Sequence, residues 1–246
     1  LPPAAEAKRG SAAAIQFDLM AGTESAILRR MNCVVTAGPT YETMDKVRRL
    51  TNFSTGRLGT ELANFLTSRG HDVTLLRGEQ ATYCGACPAR RVIPFSTTAD
   101  LQGQLRELAA LHIGAVFHAA AVSDFTFGKI WLRSEQGELS EVKSGKISTR
   151  QGTLLAELMP TPKIISSLRD WYPTAKLIGW KFEVDGDRAS VLRAAEHQLR
   201  ECRTDLCVTN GPAFGSGFGL VNGARICREL PGPTDLFTAL GQFLES

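Results

Sequence analysis

"NCVVTAGPTYETMDKVRRLTNFSTGRLGTELANFLTSRG", residues 32–70, decides the fold. Its first seven residues are apolar or small and end in glycine, as in a strand buried on both faces. From Thr55 the period changes. Leu58, Leu62, Phe65 and Leu66 recur at helical spacing, and Gly70 closes the run. A buried strand feeding an amphipathic helix is the opening of a βαβ unit. A dinucleotide-binding domain would set its glycines directly after that strand. Here Gly38 is followed by a long polar stretch, and the next glycine is Gly56. The fold is of the dinucleotide-binding kind; the phosphate loop is not.

The same alternation continues outward. Strands are predicted over residues 71–76, 90–95, 114–122, 153–158, 175–183 and 205–210. Helices are predicted over 97–112, 161–173, 187–202 and 233–246. The second-last segment, "GFGLVNGARICREL", reads as a hairpin with Asn222-Gly223 as a type I′ turn. Thr161 and Pro162 read as the N-cap and first residue of their helix. The order predicts an α/β protein: a three-layer, mostly parallel, Rossmann-like sheet with helices on both faces, plus the C-terminal hairpin. The least regular stretch, 126–145, reads as a flap. Residues 1–30 read as an extension or leader with a short docking helix at 23–30, and 31–246 as a single domain.

Bulk properties exclude several classes. In 246 residues, 22% are charged and the net charge is +3, too little to argue for nucleic acid. No apolar run is long enough to span a membrane, and the first thirty residues lack a signal peptide's apolar core. The cytoplasm is the expected compartment. Of six cysteines, Cys33, Cys207 and Cys227 sit in strand-like runs and read as reduced core residues. Cys84 and Cys87 form the sole Cys-x-x-Cys, without the second ligand pair a zinc site needs.

A parallel sheet binds ligands at the carboxyl ends of its strands. The loops after Gly38, Ala121, Phe182 and Asn210 are therefore expected to meet. The helix start at Ser54 or Thr55, followed by Gly56 and Arg57, offers free backbone N–H groups and the positive end of a helix dipole to an anion. Arg48 adds a bidentate fork, and Asn52 adds a donor and an acceptor. Arg77 at the end of the second strand suits a 2′-phosphate and keeps an NADP-dependent reductase as an alternative. His118 reads as a satisfied strand-end histidine rather than a general base.

These residues carry a resemblance. "VTAGPTYETMDKVRRLTNFSTGRLG" resembles the opening of phosphopantothenoylcysteine synthetase (phosphopantothenate–cysteine ligase) in its stand-alone form, with Pro39 in place of a glycine. "HAAAVSDF", "GKIST", "TPKIISSLRDWYP", "LIGWKFEVD" and "DLCVTN" are similar to later motifs of that family, in the same order. The resemblance implies a two-step ligase of coenzyme A biosynthesis. A nucleoside triphosphate activates 4′-phosphopantothenate as an acyl nucleotidylate, and L-cysteine then displaces the nucleotide.

The resemblance also implies roles. Asn52 handles the intermediate, Arg48 lies near the phosphopantothenate, and Lys146 stabilises the triphosphate, with Lys143 as its rival. Gly38 binds the nucleotide, and Ser54, Thr55, Gly56 and Arg57 cradle phosphate. Ala119, Ala120 and Ala121 let the nucleotide lie on the backbone, and Asp124 contacts nucleotide or metal. Gly179, Trp180, Lys181 and Phe182 line the base pocket, and Asn210 faces the nucleotide, although Gly211 replaces the family's aspartate. The implied cofactor is Mg²⁺ on the triphosphate; CTP is favoured as co-substrate, with ATP open. A homodimer with its site near the interface is implied. A non-catalytic paralogue that binds nucleotide or pantothenate derivatives remains the second alternative.

Overall fold

The computed structural model describes residues 30–142, 145–148, 152–224 and 227–246. Lys143 and all but the last residue of the expected leader lie outside the described residues. Strand β1 (Asn32–Ala37) leads through a two-stranded ribbon, β2 (Tyr41–Thr43) and β3 (Arg49–Thr51), into helix α1 (Arg57–Ser68). Strands β4 (Asp72–Gly78) and β5 (Arg91–Phe95) precede α2 (Thr98–Leu108) and β6 (Ala115–His118). Next come β7 (Phe125–Arg133), β8 (Leu139–Glu141) and β9 (Thr153–Pro160), then α3 (Ile164–Trp171) and β10 (Lys176–Phe182). The chain closes with α4 (Arg188–Cys202), β11 (Leu206–Asn210), β12 (Phe218–Asn222), β13 (Cys227–Leu230) and α5 (Pro233–Glu245).

The main sheet runs β13-β12-β11-β10-β6-β1-β4-β5. The six strands from β11 to β5 are parallel, and β12 and β13 add an antiparallel edge. The strand order reverses between β1 and β6, which makes that gap the switch point of a doubly wound sheet. Alternating side chains build two cores. Val35 and Ala37 pack with Leu62 and Leu66 of α1 and Leu240 of α5. Val34 points the other way, into a cluster with Leu101 and Leu105 of α2 and Leu168 of α3. Each fully buried leucine contributes about 1.5–3 kcal/mol, so both faces of β1 are fixed.

Several local expectations are corrected. The strand expected over 114–122 stops at His118, because Ala120 N–H bonds the Thr36 hydroxyl at 3.0 Å and Ala121 pairs with the loop after β1 instead. Helix α1 begins at Arg57, capped by Gly56 in a left-handed conformation (φ 75°), rather than at Ser54 or Thr55. Thr161 does not cap α3, whose cap is Lys163. The Thr161 hydroxyl is drawn instead to the Ser123 carbonyl, while its N–H bonds Asp124 O at 2.9 Å.

The expected type I′ turn is absent. Asn222 is the last residue of β12, and neither Asn222 nor Gly223 has the positive φ that turn requires. The Asn222 side chain accepts from Ala224 N–H at 3.1 Å and closes its own local turn. The flap is not irregular either. β8, β7 and β9 form a separate antiparallel sheet, and the strand expected over 153–158 belongs there, outside the parallel alternation.

Candidate functional site

A cavity of about 760 Å³ opens at the switch point. The four loops expected to converge do so: Gly38, Ala121, Phe182 and Asn210 all line it. Backbone bonds hold them, from Ala121 N–H to Gly38 O at 3.0 Å, Thr40 N–H to Ala121 O at 3.2 Å and Glu183 N–H to Asn210 O at 3.1 Å.

One wall is built for an anion. Ser54, Thr55, Gly56 and Arg57 reach the cavity at the start of α1. The cap residue Gly56 has no side chain, the Thr55 hydroxyl accepts only from Arg57 N–H at 3.3 Å, and the first turn has no acidic residue, so no carboxylate offsets the helix dipole at the cavity. Glycine is required twice here. A Cβ on Gly38 or on Gly56 would lie 2.8 or 2.9 Å from the Ala81 methyl, and both residues have positive φ. Arg57 pairs with Glu61 at 2.8 Å, and the Tyr83 hydroxyl donates to the same carboxylate at 3.2 Å.

Asn52 sits at the rim. Its amide Nδ2 donates to Ala121 O at 3.3 Å and Val122 O at 3.1 Å. A flipped amide would set its oxygen against two carbonyl oxygens, so the orientation is fixed and Oδ1 remains as the acceptor. Behind it, Ala119, Ala120 and Ala121 give a wall of backbone and methyl groups, and the exposed Asp124 stands beside them.

The opposite wall is Trp180, Lys181, Phe182 and Asn210. Trp180 Nε1 and Asn210 Oδ1 are buried without a hydrogen-bond partner. Each is a polar atom that a ligand in the cavity would satisfy. Lys181 is turned to Glu183 at 3.0 Å. Gly211 adopts φ 112°, and a Cβ there would lie 2.4 Å from Glu183 O, so an aspartate at this position would be strained as well as crowded. A recess of about 170 Å³ continues past Trp180 and Asp124, bounded by His118, Ser123, Thr161 and Lys163.

Among the residues of this region that sequence reading missed, two carry polar groups beside the recess. Gln198, on α4, lines both the cavity and the recess and donates to Cys207 Sγ at 3.3 Å. The buried Ser123 hydroxyl has no partner and borders the recess. Neither carries a motif. The available signal was Gly179, where a Cβ would lie 2.5 Å from the Gln198 amide; this glycine borders the site without lining the cavity.

Arg48 and Lys146 stand apart from the cavity wall. Arg48 donates to Ile147 O at 2.6 Å and faces the Asp45 carboxylate at 3.4 Å. Hydrogen bonds from the Val47, Ile147 and Arg48 N–H groups, with the Arg48 charge, hold the Asp45 carboxyl below its usual range. Lys146 is exposed between Gly145 and Ile147, beside the turn that joins β2 to β3. Arg77 donates to Ala81 O and Tyr83 O, so the strand-end arginine braces the 79–83 loop.

His118 is buried, with Nδ1 3.1 Å from the Thr36 hydroxyl, and burial lowers its pKa to about 4. Burial thus favours its neutral imidazole, at the edge of the recess. Burial likewise pushes the Cys33 and Cys207 thiols up to about 12, which makes them inert core residues. Cys84 is exposed and Cys87 half-buried. Among the described residues no cluster of three or more His, Cys, Asp or Glu side chains is arranged for a metal, and no helix is long and apolar enough to cross a membrane.

Fold and cavity together define a doubly wound α/β domain with a ligand site at its switch point. Residues 28–226 match the family described as DNA/pantothenate metabolism flavoprotein C-terminal domain, and the chain belongs to that family. It is 31% identical over 213 residues to the coenzyme A biosynthesis bifunctional protein CoaBC of Thermococcus kodakarensis, covering 86% of this chain and 49% of that protein. It is 31% identical over 197 residues to CoaBC of Bacillus subtilis, covering 79% and 44%. The chain thus spans about half the length of these curated relatives. The solved DNA/pantothenate metabolism flavoprotein of Streptococcus pneumoniae superposes with a TM-score of 0.76 at 27% identity, over 87% of this chain and 98% of that one. A Cab2 variant in complex with phosphopantothenate-cysteine shares the fold, with a TM-score of 0.66 at 18% identity, over 89% of each chain.

Proposed function

We propose that this domain joins 4′-phosphopantothenate to L-cysteine through an acyl-nucleotidylate intermediate. The observation that carries the reading is Asn52. It is locked on two carbonyls at the rim of a cavity that offers an anion site on one side and unsatisfied polar atoms on the other. In the first step a carboxylate oxygen attacks the α-phosphorus and pyrophosphate leaves. In the second, the cysteine amine attacks the acyl carbonyl, the nucleoside monophosphate leaves, and the amine proton passes to solvent or to the leaving phosphate.

The helix start at Ser54 to Arg57 would hold phosphate. The Asn52 Oδ1 acceptor would orient the incoming amine, and Trp180 with Asn210 would bound the base. Mg²⁺ would ride on the triphosphate oxygens, which neutralises their charge. Asp124 is the carboxylate at the cavity that suits it, since this ion is commonly held by one or two carboxylates plus phosphate. Lys146 stands outside the cavity wall, so its proposed part on the triphosphate requires the ribbon and residues 145–148 to close toward the mouth. CTP is the favoured co-substrate, with ATP the alternative, in a cytoplasmic enzyme.

The proposal includes a homodimer. Leu158 of β9 and Phe125 of β7 are exposed on one face of the antiparallel sheet, and Leu155 and Met159 of β9 on the other; these are apolar side chains that a second copy would cover. The deciding assay is pyrophosphate release with 4′-phosphopantothenate, cysteine, and CTP or ATP in parallel. Release with neither nucleotide would overturn the ligase reading, and NADPH oxidation by the same preparation would replace it with a reductase.

A further inference from the structure

The turn joining β2 to β3 carries more bonds than a turn needs. Met44 and Asp45 N–H both donate to Arg48 O, at 2.9 and 3.3 Å. Asp45 Oδ1 accepts from Val47 N–H at 2.8 Å and Arg48 N–H at 2.7 Å, which alone completes an Asx-type turn. The second carboxylate oxygen is used elsewhere. Asp45 Oδ2 accepts from Ile147 N–H at 3.2 Å, across 102 residues of chain, and faces the Arg48 guanidinium at 3.4 Å. Arg48 reaches on to Ile147 O, and Lys46 N–H bonds Gly145 O at 3.0 Å. The Asp45 side chain is 1% exposed and the Ile147 side chain is buried.

Both neighbours of Lys146 are therefore fastened to the ribbon turn, and the ribbon's second strand runs directly from that turn to Asn52. We propose that Asp45 is a positioning residue: it holds the Gly145–Ile147 backbone so that Lys146 and Asn52 travel on one rigid element. The inference rests on the ligase reading of Lys146. It also gives Arg48 a second role beside any ligand contact, as the other jaw of the clamp.

Asp45→Asn separates the two functions of the carboxylate. The amide oxygen can still accept the Val47 and Arg48 N–H groups, while the new NH₂ meets two donors, Ile147 N–H and the guanidinium. The test is a double-mutant cycle on pyrophosphate release, using the full chain as wild type, Asp45→Asn, Lys146→Gln and the double variant. Asp45→Asn alone is expected to slow release roughly 10–100-fold, as a misplacement near 1 Å does. In the Lys146→Gln background it is expected to change the rate less than about 2-fold, because the effect passes through the lysine.

Equal losses in both backgrounds would overturn the inference. Hydrogen exchange gives a readout independent of activity, and protection of core amides such as Val35 in the same variant separates a lost clamp from a loss of folding. The Ile147 amide is expected to be protected in the wild type and to lose that protection in Asp45→Asn. Rapid exchange at Ile147 in the wild type would also overturn the clamp. A wild type that releases no pyrophosphate would overturn the ligase reading instead, and the exchange result would still decide the clamp.

Discussion

The carboxyl edge of the parallel sheet and the ribbon with its antiparallel sheet are made by opposite means. The edge is held by its own core: Val34 and Val35 are fully buried on opposite faces, and the cavity wall is largely backbone. The ribbon and β7–β9 have little core of their own. They are fastened by polar bonds, Glu42 to Thr98 N–H at 3.0 Å and to the Thr126 hydroxyl at 3.1 Å, and they leave apolar side chains exposed. The difference separates a cavity preformed by the core from a ribbon and sheet that would carry the proposed lysine and the proposed dimer contact, and on that reading it divides stability from assembly.

The sharpest test of the first half is Gly59→Val. A Cβ there would lie 2.6 Å from the Ala37 methyl and 3.0 Å from Thr36 O, inside the packing of α1 on β1. Denaturant unfolding is expected to show a loss of about 3 kcal/mol. A loss below about 1 kcal/mol would mean the edge is less rigid than the comparison holds.

Asn52→Asp tests the joint between the two regions. A carboxylate facing two carbonyl oxygens turns away, so amide formation is expected to slow about 100-fold, or about 2.7 kcal/mol. Pyrophosphate release should fall much less. Equal losses in the two half-reactions would remove the asparagine from the second step.

His118 offers a pH test of the edge. Its folded pKa, about 4, lies below its ordinary 6.5. Between those values the unfolded chain binds more protons, so stability rises with pH across this window and is lost as pH falls from 6.5 toward 4. The loss by pH 4.5 should be on the order of 2 kcal/mol and should vanish in His118→Asn. An unchanged slope in that variant would assign the loss to the carboxylates.

The smallest expected effect on stability belongs to the other region. Leu158→Asp on exposed β9 should shift unfolding by less than about 0.5 kcal/mol, yet sedimentation should show monomers in place of the dimer proposed for the wild type. A large stability loss with assembly intact would reverse the contrast.

This division also explains what sequence could disclose. The parallel core was legible because Leu62, Leu66 and their strand partners repeat at fixed local periods. The convergence of Gly38, Ala121, Phe182 and Asn210 followed from topology alone. The antiparallel sheet was read as irregular because its pairing, such as Thr126 with Met159, joins distant segments and leaves no polar–apolar alternation on β9. Thr161 misled because its hydroxyl had a stronger claim on Ser123 O than on the helix. Gln198 sits on an ordinary amphipathic helix, where only the facing glycine marks it. The Asp45–Ile147 contact depends on two segments 102 residues apart, beyond any local pattern.

The anion wall has a further consequence for how this chain can change over generations. The Ala81 methyl fills the space left by both Gly38 and Gly56, and the backbone N–H of Tyr83, two residues on, bonds Thr55 O at 3.0 Å. Three segments distant in the chain share one steric lock. Any enlargement at position 81 must be answered at positions 38 and 56, where the left-handed backbone permits almost no answer. Inheritance should therefore hold the three positions together as a single unit, and the loop after β4 should keep a small residue at this one point.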